Sequence, residues 1–132
     1  MAIDETARLE NATVGDADLR EYVTVHDAEV GDGVRIYERT SVKKAEIKGP
    51  TDVNANVYVE NAEIAPEVQV GPNAAVVGVT HDLGDDGMTF RDDVFETVIL
   101  ERRAFVGAGA VVLPGVTVRE DVPAGTVLRE SR

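Results

Sequence analysis

The residues of this chain best suited to chemistry lie in one stretch, Thr80 to Thr97, which reads THDLGDDGMTFRDDVFET. It opens on Thr80-His81-Asp82, and His81 is one of only two histidines in 132 residues. An imidazole titrates near neutrality, so it can take a proton from an attacking hydroxyl or amine and hand it to a leaving group. Asp82, Asp85, Asp86, Asp92 and Asp93 share the stretch. Asp82 or another of these acids can orient the ring, and the group as a whole can hold a cation or simply be solvated. Solvation is the simpler alternative. Met88, Phe90 and Phe95 supply apolar bulk, either to cross an interface or to fold the stretch back onto its own scaffold. The other histidine, His26, falls in an outward, polar column with Lys43 and Glu60 and reads as a surface residue.

What must position the stretch is a repeat. Cut every 17 residues from Thr13, the chain gives four lines that align without gaps, ending at Thr80. The columns that stay apolar or small hold Thr13, Val30, Ile47 and Ile64; Ala17, Val34, Thr51 and Val68; and Leu19, Ile36, Val53 and Val70. Three further columns hold Val23, Thr40, Val57 and Ala74; Val25, Val42, Val59 and Val76; and Ala28, Ala45, Ala62 and Val79. A two-residue inward step disfavours helix and predicts three short strands per repeat, one triangular turn of chain each. After Thr97 the pattern resumes with period 18 at Leu100, Val106, Val112 and Val118. The expected layout is one all-β domain of five to six coils. It divides into an N-terminal cap (1–12), coils one to four (13–80), an extruded loop (81–97), coil five (98–118), and a partial coil with a C-terminal cap (119–132). Gly15, Gly31, Gly71 and Gly107 follow aliphatic positions, where a corner is expected to use backbone angles that glycine reaches most easily. Glu29, Glu46 and Glu63 share an outward column, which reads as a cation strip or, more simply, a solvated acidic edge.

Composition narrows the function classes. The net charge is −12 and only three residues are lysine, so the surface repels nucleic acid and anionic membranes. An acidic, lysine-poor chain suits a halophilic, salt-rich cytoplasm, where screening removes self-repulsion. Without cysteine there is no disulfide and no thiolate metal site. No apolar run approaches the ~18 residues of a membrane span. The N-terminus lacks the pattern of a signal peptide, which points to a cytoplasmic protein.

From Val98 the chain reads VILERRAFVGAGAVVLPGVTV and then REDVPAGTV. This resembles the hexapeptide-repeat acyltransferases, closest to the maltose, galactoside and xenobiotic O-acetyltransferase branch. The likeness covers the chain from about residue 47 and is strongest from Val98. It implies a left-handed parallel β-helix assembled as a homotrimer, with sites between adjacent prisms. It also implies acetyl-CoA as cosubstrate, no metal, and transfer of the acyl group to a hydroxyl or amine of a small acceptor, a sugar foremost. His81 matches the family's loop histidine, the general base. The family's CoA-binding segment maps onto Gly107, Ala108, Gly109, Ala110, Gly115, Thr117 and Arg119, with backbone amides near Gly107 to Ala110 facing the oxyanion. Relatives carry a further coil where Val118 here runs straight into Arg119, so the resemblance implies a chain shorter by about one coil.

Two other functions compete. A non-catalytic trimeric β-helix serving as an interaction or structural module needs no intact site. A γ-class carbonic anhydrase uses the same prism but needs three histidines on zinc, and this chain has two.

Overall fold

Side chains that alternate along a short strand put every second residue on the inner side, and three such strands per turn enclose a triangular core. The structure is a computed structural model describing residues 2–132, apart from the Arg91 side chain, and it has this architecture. Face I stacks Ala2–Ile3, Asp18–Leu19, Val34–Ile36, Thr51–Val53, Gln69–Val70, Phe105–Val106 and Asp121–Val122. Face II stacks Arg8–Glu10, Thr24–His26, Ser41–Lys43, Tyr58–Glu60, Ala75–Val77, Val111–Val112 and Val127–Leu128. Face III stacks Thr13–Val14, Glu29–Val30, Glu46–Ile47, Ala62–Ile64, Val98–Leu100 and Thr117–Val118. Every pairing within a face is parallel. The described residues are all-β without helix, a solenoid of about seven turns compatible with left-handed winding.

The turns outnumber the five to six expected because both segments read as caps supply strands. Ile3 pairs with Leu19 and Leu9 with Val25, while Val122 pairs with Val106 and Leu128 with Val112. Residues 2–10 therefore extend faces I and II as strands instead of forming a separate cap. The first coil is one residue short. Val14, not Thr13, aligns with Val30, and Thr13 aligns with Glu29.

The core follows the predicted columns from Ala17 to Val122 and consists largely of valine, isoleucine and alanine. Coils about 4.8 Å apart leave little room across a triangular section, which suits compact β-branched side chains. Thr40 and Thr51 are the buried polar exceptions, and both are satisfied. Thr51 Oγ1 donates to the Ala65 carbonyl at 3.1 Å and accepts the Val68 amide at 3.3 Å. Thr40 does the same between Asn54 O and the Val57 amide, at 2.6 and 3.2 Å. These hydroxyls tie one coil's corner to the next. Thr51→Val keeps the shape but leaves the Ala65 carbonyl and the Val68 amide without that partner. It is expected to cost about 1–3 kcal/mol in urea unfolding, with the m-value unchanged.

The corners explain the glycines differently from the expectation. Gly15, Gly31, Gly71 and Gly107 are not among the positive-φ residues. At Gly71 and Gly107 space requires glycine instead. A Cβ on Gly71 would stand 2.6 Å from the Ala108 nitrogen, and one on Gly107 2.5 Å from the Ala124 nitrogen. Coil stacking is too close for a side chain there. After Gly31, Gly71 and Gly107 the positive-φ position lies two residues further on, at Gly33, Asn73 and Gly109. Asn11, Asp27, Lys44 and Asn61 share one edge at φ 48 to 52°; Asn and Asp adopt the left-handed region more readily than most, and Lys44 is the exception in the column.

Candidate active site

The interruption is a β-hairpin, not an irregular loop. Strand Val79–Gly84 pairs antiparallel with Gly87–Phe95 across the turn Gly84-Asp85-Asp86-Gly87, where Gly87 takes φ 108°. It leaves the prism at the edge between faces II and III. Ala62 pairs directly with Val98, so face III continues past the hairpin as though it were absent. Val79 pairs with Phe95 instead of occupying the inward column below Ala62, which corrects its expected place.

The root is held by backbone bonds. The Gly78 carbonyl accepts the Glu96 amide at 2.9 Å and the Asn61 side-chain amide at 2.7 Å. The Asn61 carbonyl accepts the Val98 amide at 3.2 Å, and Gly115 donates to the Glu96 carbonyl at 2.9 Å from the next coil. The Lys44 ammonium sits 4.9 Å from the centre of the Phe95 ring, so the second strand is anchored to its own prism at its foot. Leu83, Met88 and Phe90 remain more than half exposed further out.

Within the hairpin, His81 stands opposite Asp93, and its Nδ1 lies 3.1 Å from Asp93 Oδ1. This register arises from an irregularity. Leu83 pairs with Met88 and Gly84 with Gly87, a register that continued inward would set His81 opposite Phe90. One residue separates His81 from Leu83, but four separate Met88 from Asp93. The bulge shifts the register by three positions and brings a carboxylate to the imidazole. Both side chains stay about half exposed, so the ring is reachable from solvent. If Nδ1–H donates to Asp93, Nε2 is left as the basic, outward nitrogen. Of the acids among which the sequence left the choice open, Asp93 is the one that faces the imidazole.

The predicted CoA residues divide between edges. Gly107 to Ala110 turn the edge between faces I and II, whereas Gly115 lies on the II–III edge beside the hairpin root. Ala110 is wholly buried. The amides of Gly107, Gly109 and Ala110 are already bonded to Val122 O, Pro72 O and Gly107 O, at 2.8, 2.9 and 3.1 Å. Ala108 is exposed, and its amide alone of the four has no backbone acceptor among the described residues. The Thr117 amide is taken by Ser131 Oγ at 2.9 Å, and Arg119 Nε lies 3.5 Å from Glu101. One prism therefore does not bring His81 and the Gly-Ala-Gly-Ala corner together.

His26 lies on face II, half-buried, with Nε2 3.5 Å from Glu10. The two histidines sit on different elements, and no group of three or more potential metal ligands occurs among the described residues. Glu29, Glu46 and Glu63 do stack in register, and Lys48 lies 3.6 Å from Glu46. They wall a groove of about 500 Å³ that runs along the II–III edge from Thr97, at the hairpin foot, to Asn11.

No family model matches the chain, and no curated protein matches it. Solved structures do. A mutant of AntD, an N-acyltransferase from Bacillus cereus, in complex with dTDP-4-amino-4,6-dideoxyglucose and coenzyme A, superposes with a TM-score of 0.79 at 17% identity. The match covers 92% of this chain and 74% of that one. AntD with dTDP and 3-hydroxybutyryl-CoA gives 0.55 at 16% identity, over 98% of this chain and 69% of that one. The acetyltransferase domain of PglB from Neisseria gonorrhoeae, with acetyl coenzyme A, gives 0.54 at 16% identity. There the match covers 93% of this chain but 51% of that one, so this chain spans about half the length of that protein. The shared feature is the fold: this chain is built on the parallel β-solenoid seen in these acyltransferases.

Proposed function

We propose that the protein is a CoA-dependent acyltransferase that acylates a hydroxyl or amine of a small acceptor, with His81 as general base. The observation that carries this is the His81–Asp93 pair, held by a bulge in the one hairpin that leaves the solenoid. The fold shared with acyltransferases that bind CoA supports it. His81 Nε2 takes the proton as the acceptor's oxygen or nitrogen attacks the thioester carbonyl. The tetrahedral oxyanion then collapses, the carbon–sulfur bond breaks, and the imidazolium returns the proton to the departing CoA sulfur. The Ala108 amide, the one of the four without a backbone acceptor, is the donor this reading assigns to the oxyanion.

Because His81 and Ala108 lie on different edges, the site is completed between copies, in a homotrimer. The acceptor lies in the groove at the hairpin foot, whose carboxylates attract an ammonium group and so favour an amine. An amino sugar on a nucleotide carrier, the class AntD binds, fits this reading.

The test is release of free CoA from acetyl-CoA, followed with a thiol reagent in molar salt. The chain has no cysteine to give background. Acceptor-dependent release is expected; absence of both release and CoA binding would leave the interaction-module reading in front. Asp93→Asn is expected to lower kcat by roughly tenfold with little change in KM, because it loosens the ring without touching acceptor. Asp93→Glu should recover part of the loss. An unchanged kcat in Asp93→Asn would remove Asp93 from the mechanism.

A further inference from the structure

We infer that the edge between faces III and I carries a second binding site, for the diphosphate and base of a nucleotide, built on Arg102 and Arg103. The charge distribution is the first ground. Residues 1–97 carry eight basic side chains against twenty-one acidic ones, whereas residues 98–132 carry five arginines against four acids. A polyanion approaching this protein meets less repulsion at its last coils than along the rest of the chain.

Within those coils the cations converge. Arg102 Nη1 lies 3.2 Å from Glu67 Oε1 and Arg103 Nε 3.0 Å from Glu67 Oε2. Two guanidiniums therefore share one carboxylate. The prism's other arginine pairs, Arg35 with Asp52 and Arg119 with Glu101, are one to one. One positive charge at this corner stays uncompensated. Most of the fork donors of both arginines are open, since the side chains are 59% and 79% exposed. Arg119 stands one turn further along the same edge, its Nε 3.5 Å from Glu101. Exposed carboxylate partners bind weakly and exchange readily. A diphosphate, with more charge and with oxygens spaced for guanidinium forks, takes their place.

A groove of about 590 Å³ adjoins the corner on face III. Ala65, Pro66 and Ile99 contribute its apolar lining, and Arg102 and Lys48 stand on its rim. Ile99 is 37% exposed although it lies mid-strand, which leaves a flat aliphatic surface for a base. Glu46, Glu63 and Glu101 also line the groove. Lys48 and Arg119 are within ion-pair distance of Glu46 and Glu101, at 3.6 and 3.5 Å. Neither the hairpin nor the Gly107–Ala110 corner is on this edge, so the site stands whether or not His81 transfers acyl groups.

The experiment titrates the full chain with ADP, with dTDP and with inorganic pyrophosphate by calorimetry at two salt concentrations. At least one nucleoside diphosphate is expected to bind more tightly than pyrophosphate, and more weakly as salt rises. Arg102→Ala/Arg103→Ala should weaken it by about tenfold or more, since charge-assisted bonds to a phosphate are among the stronger contacts. Arg20→Ala, which removes a cation from the edge between faces I and II in an early coil, should leave binding unchanged, and thermal melts should show all three proteins folded. A preference for ADP assigns the site to the nucleotide end of CoA, and a preference for dTDP assigns it to a nucleotide-borne acceptor. No binding by the native chain, or equal binding by the double variant, overturns the site. Because turnover is not measured, that failure leaves the acyl-transfer proposal standing.

Discussion

His81→Ala is expected to lower kcat/KM for acyl transfer by ~10²–10⁴-fold, the range that a positioned general base contributes. The side chain is about half exposed and fills no core position, so its loss leaves the solenoid intact. Far-UV spectra, melting temperature and CoA affinity should match those of the native chain, while thiol release falls. This separation makes the experiment decisive. A variant that binds CoA normally yet does not transfer places the imidazole in the chemical step. One that still transfers at the native rate removes it, and the base must then be sought elsewhere. The loss should be larger than that of Asp93→Asn, because Asp93 acts only through the ring it holds.

The second large effect concerns the root of the hairpin. Gly78→Ala is expected to destabilise the protein by roughly 2–3 kcal/mol, or a fall in Tm near ~10 °C for a chain of this size. A Cβ built at Gly78 would stand 2.1 Å from the Asn61 carbonyl oxygen and 3.0 Å from that of Glu96. Both are backbone atoms tied into adjacent coils and cannot turn aside as a side chain end would. Gly78 is not among the positive-φ residues, so the penalty is purely steric. The hairpin strands begin one residue beyond, and the clash tilts the arm that carries His81 and Asp93. Transfer should therefore fall by more than the loss of folded protein explains. Hydrogen exchange at the Glu96 amide, which donates to Gly78, should report the displaced root. A melting temperature within a degree or two of native would show that the coils yield there, contrary to this account.

How much of this was legible beforehand follows from what each feature depends on. The solenoid was legible because its core is periodic. Each inward residue meets its own counterparts one turn away, so Val25, Val42, Val59 and Val76 show in sequence the column they form in space. The same locality made the exit of the hairpin legible, since a break in period can only be accommodated outside the stack. It also misled in places. Thr13 filled a column by spacing, but a coil one residue shorter put Val14 there. The glycines after aliphatic residues suggested unusual angles, but at Gly71 and Gly107 the cause was contact between backbones of successive coils, which no single coil contains.

The site obeys a different logic. His81 was selected by residue type and by position at the start of the break. Its partner was not, because five aspartates share the stretch and a hairpin closed at Gly84–Gly87 would by default oppose His81 with Phe90. Only the bulge, a matter of how the second strand returns to its anchor on Lys44, brings Asp93 across. The positions of the Gly-Ala-Gly-Ala corner and of the paired arginines were likewise beyond the sequence. A period of 17 or 18 says which residues share a face, but their edges differ by a third of a turn. Sequence alone determined the repeat, the inward columns, the charge and the place of the one histidine in the interruption, all of which depend on residues near in the chain or one period apart. The tertiary structure decided the register inside the hairpin and which edge each functional group occupies, because those depend on closing three faces around one core.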